Sequence, residues 1–247
     1  MKIQVTQGSI QEIKADTLIV NLFEGVSAPG GATGAVDKAL GGAISELITS
    51  GDLTGKSCEV GVLYPHGSIP AKRVLVVGLG KQDELSLEGV RKAVATALKR
   101  GRDLNAREVA SVVHGVGAGG LKMAEAAQAT VEGALLGLYR FDTLKKDIEK
   151  KGAIEIFTLV EFEAAKLADV QAGARLAEIV VEGVYLARDL VNLPPNMATP
   201  TKMASVAQEI AGAYGMKITI GDRDWAAQHK MGAFLGVAKG AGEPPMA

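Results

Sequence analysis

Cysteine is nearly absent from this 247-residue sequence. Cys58 stands alone, so no internal disulfide can form, and the usage suits a reducing compartment. Histidine is almost as scarce. His66, His114 and His229 lie far apart, which excludes a zinc finger and a His-Glu-x-x-His protease; a histidine metal site would have to gather all three. Neither sign of charge prevails. The 27 Lys and Arg against 28 Asp and Glu leave a formal net charge of −1, which argues against a generally basic nucleic-acid binder. No apolar stretch approaches the roughly 18 residues of a membrane span, and Met1–Thr6 lacks the apolar core of a signal peptide. These absences predict a soluble, cytoplasmic protein.

What the sequence does have is glycine, 31 residues of it, without a collagen period. That richness points to tight strand-to-helix turns and close packing. Strand and helix signals alternate. Lys2–Thr6, Ala15–Leu22, Val60–Tyr64, Arg73–Val77, Glu108–Val113 and Ala153–Val160 read as strands, several of them continuous apolar runs suited to burial on both faces. Between them, one helix is expected through Val36, Leu40, Ile44 and Ile48. A second starts at Ser86 and stops at Gly101, and a third spans Met123–Leu138. From about Ala165 a helical repeat continues for more than twenty residues until Pro194-Pro195 ends it. Thr199 and Pro200 then open another helix. Lys217–Ile220 reads as a strand, Asp224–Lys230 as a short helix and Ala233–Ala238 as a strand.

Few residues carry chemistry. Gly115, Gly117 and Gly120 form a G-x-G-x-x-G, but the next strand ends near Glu161, about twice too far on for a dinucleotide fingerprint, so the motif reads as a tight turn. Gly30, Gly31, Gly34 and Asp37 follow a strand and open a helix, a geometry that can hold a phosphate. No serine has a nucleophile-elbow setting, and Cys58 reads as an ordinary small residue. Asp222 with Asp224 reads as a solvated turn. Lys145, Lys146, Lys150 and Lys151 form a basic cluster without an aromatic platform, best explained as a solvated loop. Residue chemistry alone supplies no catalytic constellation.

Two resemblances extend this reading. Ala15–Asn21 with Pro29–Asp37 resembles the opening of the macro domain, a module that binds ADP-ribose, although Leu22-Phe23-Glu24 stands where that family has further small residues and a second asparagine. More specific is Ala187-Arg188-Asp189-Leu190-Val191-Asn192-Leu193-Pro194-Pro195-Asn196, followed by Thr199-Pro200. With Met231–Gly240 and Glu243-Pro244-Pro245 at the right interval, it looks like the entry to the catalytic domain of the leucyl aminopeptidase family. Residues 1 to about 165 are similar to that family's amino-terminal domain.

The resemblance implies an α/β protein in three parts. These are a macro-like amino-terminal domain with a mixed sheet between helices at 1–165, a connecting helix at 166–193, and an incomplete α/β start of a metallopeptidase domain at 194–247. It implies a homohexamer that removes amino-terminal residues, often leucine, from peptides with two divalent ions (Mn, Zn or Mg). Neither the family's Asn-Thr-Asp-Ala-Glu-Gly-Arg-Leu signature nor its Lys-Gly-x-x-x-Asp-Ser-Gly-Gly loop is present, and Lys239 lacks the following Asp-Ser-Gly-Gly. No catalytic residue and no metal ligand is therefore assigned, no bound metal is expected on this chain, and it is expected to be inactive alone. Two other readings remain. One is a nucleotide-binding module using Gly30, Gly31, Gly34 and Asp37; the other is an assembly domain, with nucleic-acid contact disfavoured by the balanced charge.

Overall fold

The apolar runs become the middle of one sheet. A computed structural model describes residues 1–146, 152–242 and 244–246. Its strands are β1 (Lys2–Gln7), β2 (Thr17–Leu22), β3 (Val60–Leu63), β4 (Arg73–Gly78), β5 (Glu108–Val112) and β6 (Ile156–Glu161), ordered β1-β6-β5-β2-β4-β3. Neighbours run parallel except β3, which is antiparallel to β4. The mixed α/β sheet expected from the sequence is present. Its central strands are aliphatic throughout because both faces are covered: Leu18, Ile19, Val20 and Val74 through Val77 are fully buried.

Helices α1 (Gly31–Ala39) and α2 (Ala43–Ser50) cover one face, where Val36 and Ile44 pack with Leu18, Val20, Val74 and Val76. The other face carries α3 (Leu87–Asp103), α4 (Met123–Leu138) and the first turns of α5 (Leu167–Asn192), with Val90, Val94, Ala127 and Val170 packed with Ile19, Leu75 and Val77. Helices α3 and α4 approach closely. A Cβ on Gly133 would stand 2.6 Å from the Arg91 carbonyl oxygen, and one on Gly137 would stand 2.6 Å from Ala95 Cβ. Beside this contact Arg91 Nε donates to the buried Glu132 carboxylate at 2.6 Å.

The chain divides into two compact units, Met1–Val184 and Tyr185–Ala247, and the division falls inside α5. The second unit holds the last turns of α5 with α6 (Pro200–Tyr214), α7 (Arg223–Gln228) and α8 (Gly232–Ala238). Thr199 Oγ1 caps α6 by accepting from Lys202 N at 3.2 Å, as the sequence predicts. Few apolar side chains are enclosed there; Val206, Ala211 and Ala226 are buried, whereas Val191 is 84% exposed.

Four local expectations are corrected. The helix expected through Val36–Ile48 is two, because Gly41 (φ +67°) and Gly42 (φ +92°) take left-handed backbone and break it. Gly101 does not stop α3, which runs on to Asp103 with Asn105 in the left-handed region beyond it. Lys217–Ile220 forms no strand. Ala233–Ala238 lies in helix α8: among the described residues of this unit there is no strand to pair with, so its hydrogen bonds close locally.

Candidate functional site

The carboxyl ends of β2, β5 and β6 open into a cleft of about 770 Å³. This is the point where the strand order reverses. From β2 the chain goes to the edge strand β3 and returns to β4 on one side, then crosses back to β5 and moves outward to β6 on the other. A parallel sheet leaves a crevice there, because the helices that follow adjacent strands lie on opposite faces. One wall is the entry to α1, from Ala28 to Thr33. A second is the turn Gly115–Ala118 after β5. The third is Glu161–Glu163, beyond β6, with Lys166.

Below this opening lies a buried polar chain. Asn21, which also lines the cleft, is joined to His114 Nδ1 through Nδ2 at 3.0 Å, and Ser111 Oγ lies 2.9 Å from His114 Nε2. An asparagine Nδ2 can only donate, so Nδ1 accepts and Nε2 carries the proton, donating to Ser111. Ser111 Oγ in turn donates to the Val112 carbonyl at 3.0 Å. His114 is wholly enclosed, and burial pushes its pKa down to about 4, which keeps the ring neutral. Thr33 Oγ1 donates to the Asn21 carbonyl at 2.7 Å and ties the first turn of α1 to the end of β2.

The predicted phosphate loop is divided. Gly30 is the N-cap of α1 and Gly31 its first residue, and both line the cleft. No side chain caps this helix. Gly34 sits where a Cβ would meet the Pro29 carbonyl oxygen at 2.6 Å, so close backbone approach accounts for it. Asp37 is buried and committed elsewhere. Its carboxylate accepts from Ile44 N at 2.8 Å, Ser45 N at 3.1 Å and Ser45 Oγ at 2.6 Å, and so caps α2. Gly115 and Gly117 reach the same cleft as Gly30, a convergence that sequence spacing alone does not reveal.

The remaining candidates have structural settings. Asp222 caps α7 through Trp225 N at 2.8 Å, and Asp224 is exposed. Cys58 adopts φ +63°, and its backbone N donates to the Gly78 carbonyl. His229 stacks on Trp225 with centroids 3.9 Å apart. Lys145 pairs with Asp142 at 2.7 Å, which holds that carboxyl below its ordinary range; Lys150 and Lys151 lie outside the described residues. Lys166 donates to Glu163 at 2.6 Å, a bond that raises the lysine's pKa. Among the described residues no three His, Cys, Asp or Glu side chains are grouped to hold a metal ion, so the residues present do not form a di-metal site. No helix among them is long and apolar enough to cross a membrane.

Residues 19–147 match the N-terminal domain of the cytosol aminopeptidase family, and residues 185–247 match its catalytic domain. The chain belongs to the cytosol aminopeptidase family. The resemblance drawn from Ala187–Asn196 and Met231–Gly240 falls within the second match. A probable cytosol aminopeptidase of Alkaliphilus oremlandii is 36% identical over 247 residues, covering 99% of this chain and 49% of the relative. That of Geotalea uraniireducens is 39% identical over 212 residues, covering 85% and 42%. The chain thus spans about half the length of these cytosol aminopeptidases. A mutant of tomato leucine aminopeptidase has the same fold over 100% of this chain and 49% of its own, with a TM-score of 0.83 and 25% identity. The bottromycin maturation enzyme BotP in complex with Mn matches in fold at a TM-score of 0.71 and 24% identity, covering 94% and 44%.

Proposed function

We propose that this chain is the amino-terminal part of a leucyl aminopeptidase, a metal-dependent hydrolase that removes amino-terminal residues, often leucine, from peptides. The observation that carries the reading is the alignment of 99% of the chain with 49% of a probable cytosol aminopeptidase at 36% identity. On this reading residues 1–165 are the amino-terminal macro-like domain, 166–193 the connecting helix, and 194–247 the start of the catalytic domain. The whole enzyme is a cytoplasmic homohexamer acting on peptides with two divalent ions, Mn, Zn or Mg. A neighbour of like fold in complex with Mn is in keeping with that class of ion. On this reading the ions' ligands belong to the family's Asn-Thr-Asp-Ala-Glu-Gly-Arg-Leu and Lys-Gly-x-x-x-Asp-Ser-Gly-Gly segments, which this sequence lacks. The chain serves assembly or regulation and is not catalytic by itself.

The test is hydrolysis of leucine p-nitroanilide by the purified 247-residue chain supplied with Mn, Zn or Mg. No metal-dependent release of p-nitroaniline is expected. Release that requires the metal and saturates with substrate would sink the claim that the chain is not catalytic by itself.

A further inference from the structure

Within the first unit, helix α5 is apolar on two sides. Val170, Gly173, Ala174, Ala177 and Val181 form a buried stripe, and a Cβ on Gly173 would collide with the Ala124 carbonyl of α4. A second stripe lies away from it. Leu176 is 48% exposed, Ile179 58% and Val180 41%, with Ala172 and Gly183 open to solvent at either end. A surface helix with a single partner carries polar residues there. Ala172, Leu176, Ile179 and Gly183 instead follow one another at intervals of four, three and four. That is the 3.5-residue repeat by which one helix packs along another.

Charge selects the occupant and its direction. Arg175 and Glu182 are both exposed, and their seven-residue separation sets them two turns apart along the same flank of the seam. In an antiparallel pair with Leu176 against the partner's Ile179, Ala172 falls against the partner's Gly183 and Arg175 beside the partner's Glu182. A two-fold axis makes each contact twice. Gly183 has open space where a Cβ would lie, so the ends of the seam allow close backbone approach while Leu176 and Ile179 fill its centre. A parallel pair would instead set Arg175 beside the partner's Val180 and leave both charges unmatched. We propose that this face of α5 is an antiparallel interface between two copies of this chain, with the Arg175–Glu182 pairs at its sides. The inference rests on α5 alone and stands apart from the aminopeptidase reading.

The test is sedimentation velocity of the 247-residue chain over a range of concentrations. A monomer that becomes a dimer with a Kd of about 100 µM or tighter is expected. Ile179→Lys places a charge at the centre of the seam, at a position exposed in the single chain. It should melt like the parent and weaken association by about tenfold or more. Arg175→Glu alone, or Glu182→Arg alone, sets like charges against each other twice, and each should weaken self-association about tenfold. An equimolar mixture of these two variants should associate as tightly as the parent, because opposite charges then face each other at both pairs. A chain that stays monomeric at about 500 µM would overturn the proposal. So would a dimer untouched by Ile179→Lys, or a mixture of charge variants no tighter than either alone.

Discussion

His114 is wholly enclosed, yet both its ring nitrogens are used, one accepting from Asn21 and the other donating to Ser111. That pairing needs the neutral ring, and its cost appears on acidification. The folded pKa is about 4 against an ordinary 6.5, so between those values the unfolded chain takes up a proton that the folded chain refuses. This contribution is therefore complete above pH 6.5 and is lost as pH falls toward 4, by about 3 kcal/mol in all. Urea unfolding at a series of pH values checks it. His114→Gln, which cannot titrate, should show a shallower loss over that interval; equal slopes in the two proteins would defeat the account. Three carboxylates act in a comparable way, as partners for backbone amides. Asp16 accepts from Arg107 N at 2.8 Å, Glu59 from Gly55 N at 2.8 Å, and Asp37 from Ile44 N at 2.8 Å. These three acids are occupied in holding loops and a helix start.

The break between α1 and α2 depends on one of these acids. Gly42 precedes α2 in left-handed backbone and offers no side-chain cap, so Asp37 reaches across from the preceding helix to do so. Asp37→Ala should destabilise the protein by about 2 kcal/mol, while Asp37→Asn, which keeps an acceptor oxygen, should recover part of the loss; chemical denaturation measures both. The same pair of helices marks the limit of sequence reading. The central strands were legible because short continuous runs of Val, Leu and Ile suit a strand covered on both faces. Ser86 and Thr199 announced α3 and α6 by cap chemistry that is local in the chain. The hidden break at Gly41-Gly42 was masked by apolar spacing that continues in register across it. Ala233–Ala238 was misread because a short apolar run satisfies both periods, and the choice falls to whether a neighbouring strand exists. Gly30 and Gly31 were legible as the start of a helix after a strand, but their meeting with Gly115 and Gly117 depends on strand order, which no local pattern encodes.

Across the molecule, enclosure is uneven. The first unit buries two extensive apolar clusters, one on each face of the sheet, while the second encloses few side chains. Hydrogen exchange should therefore be slowest in β2 and β4 and much faster throughout α6, α7 and α8. Mass spectrometry of exchanged peptides reads this directly, and equal protection in the two units would contradict it. The sheet's edge has a consequence for biosynthesis. Among the described residues β1 pairs with β6 alone, with Lys2 opposite Ile156, so this strand is made roughly 150 residues before its partner and waits that long before it can pair. At about 5–20 residues per second that is about 8–30 s of translation during which the nascent chain carries an unmated β segment. The sheet closes last at the earliest made of its six described strands.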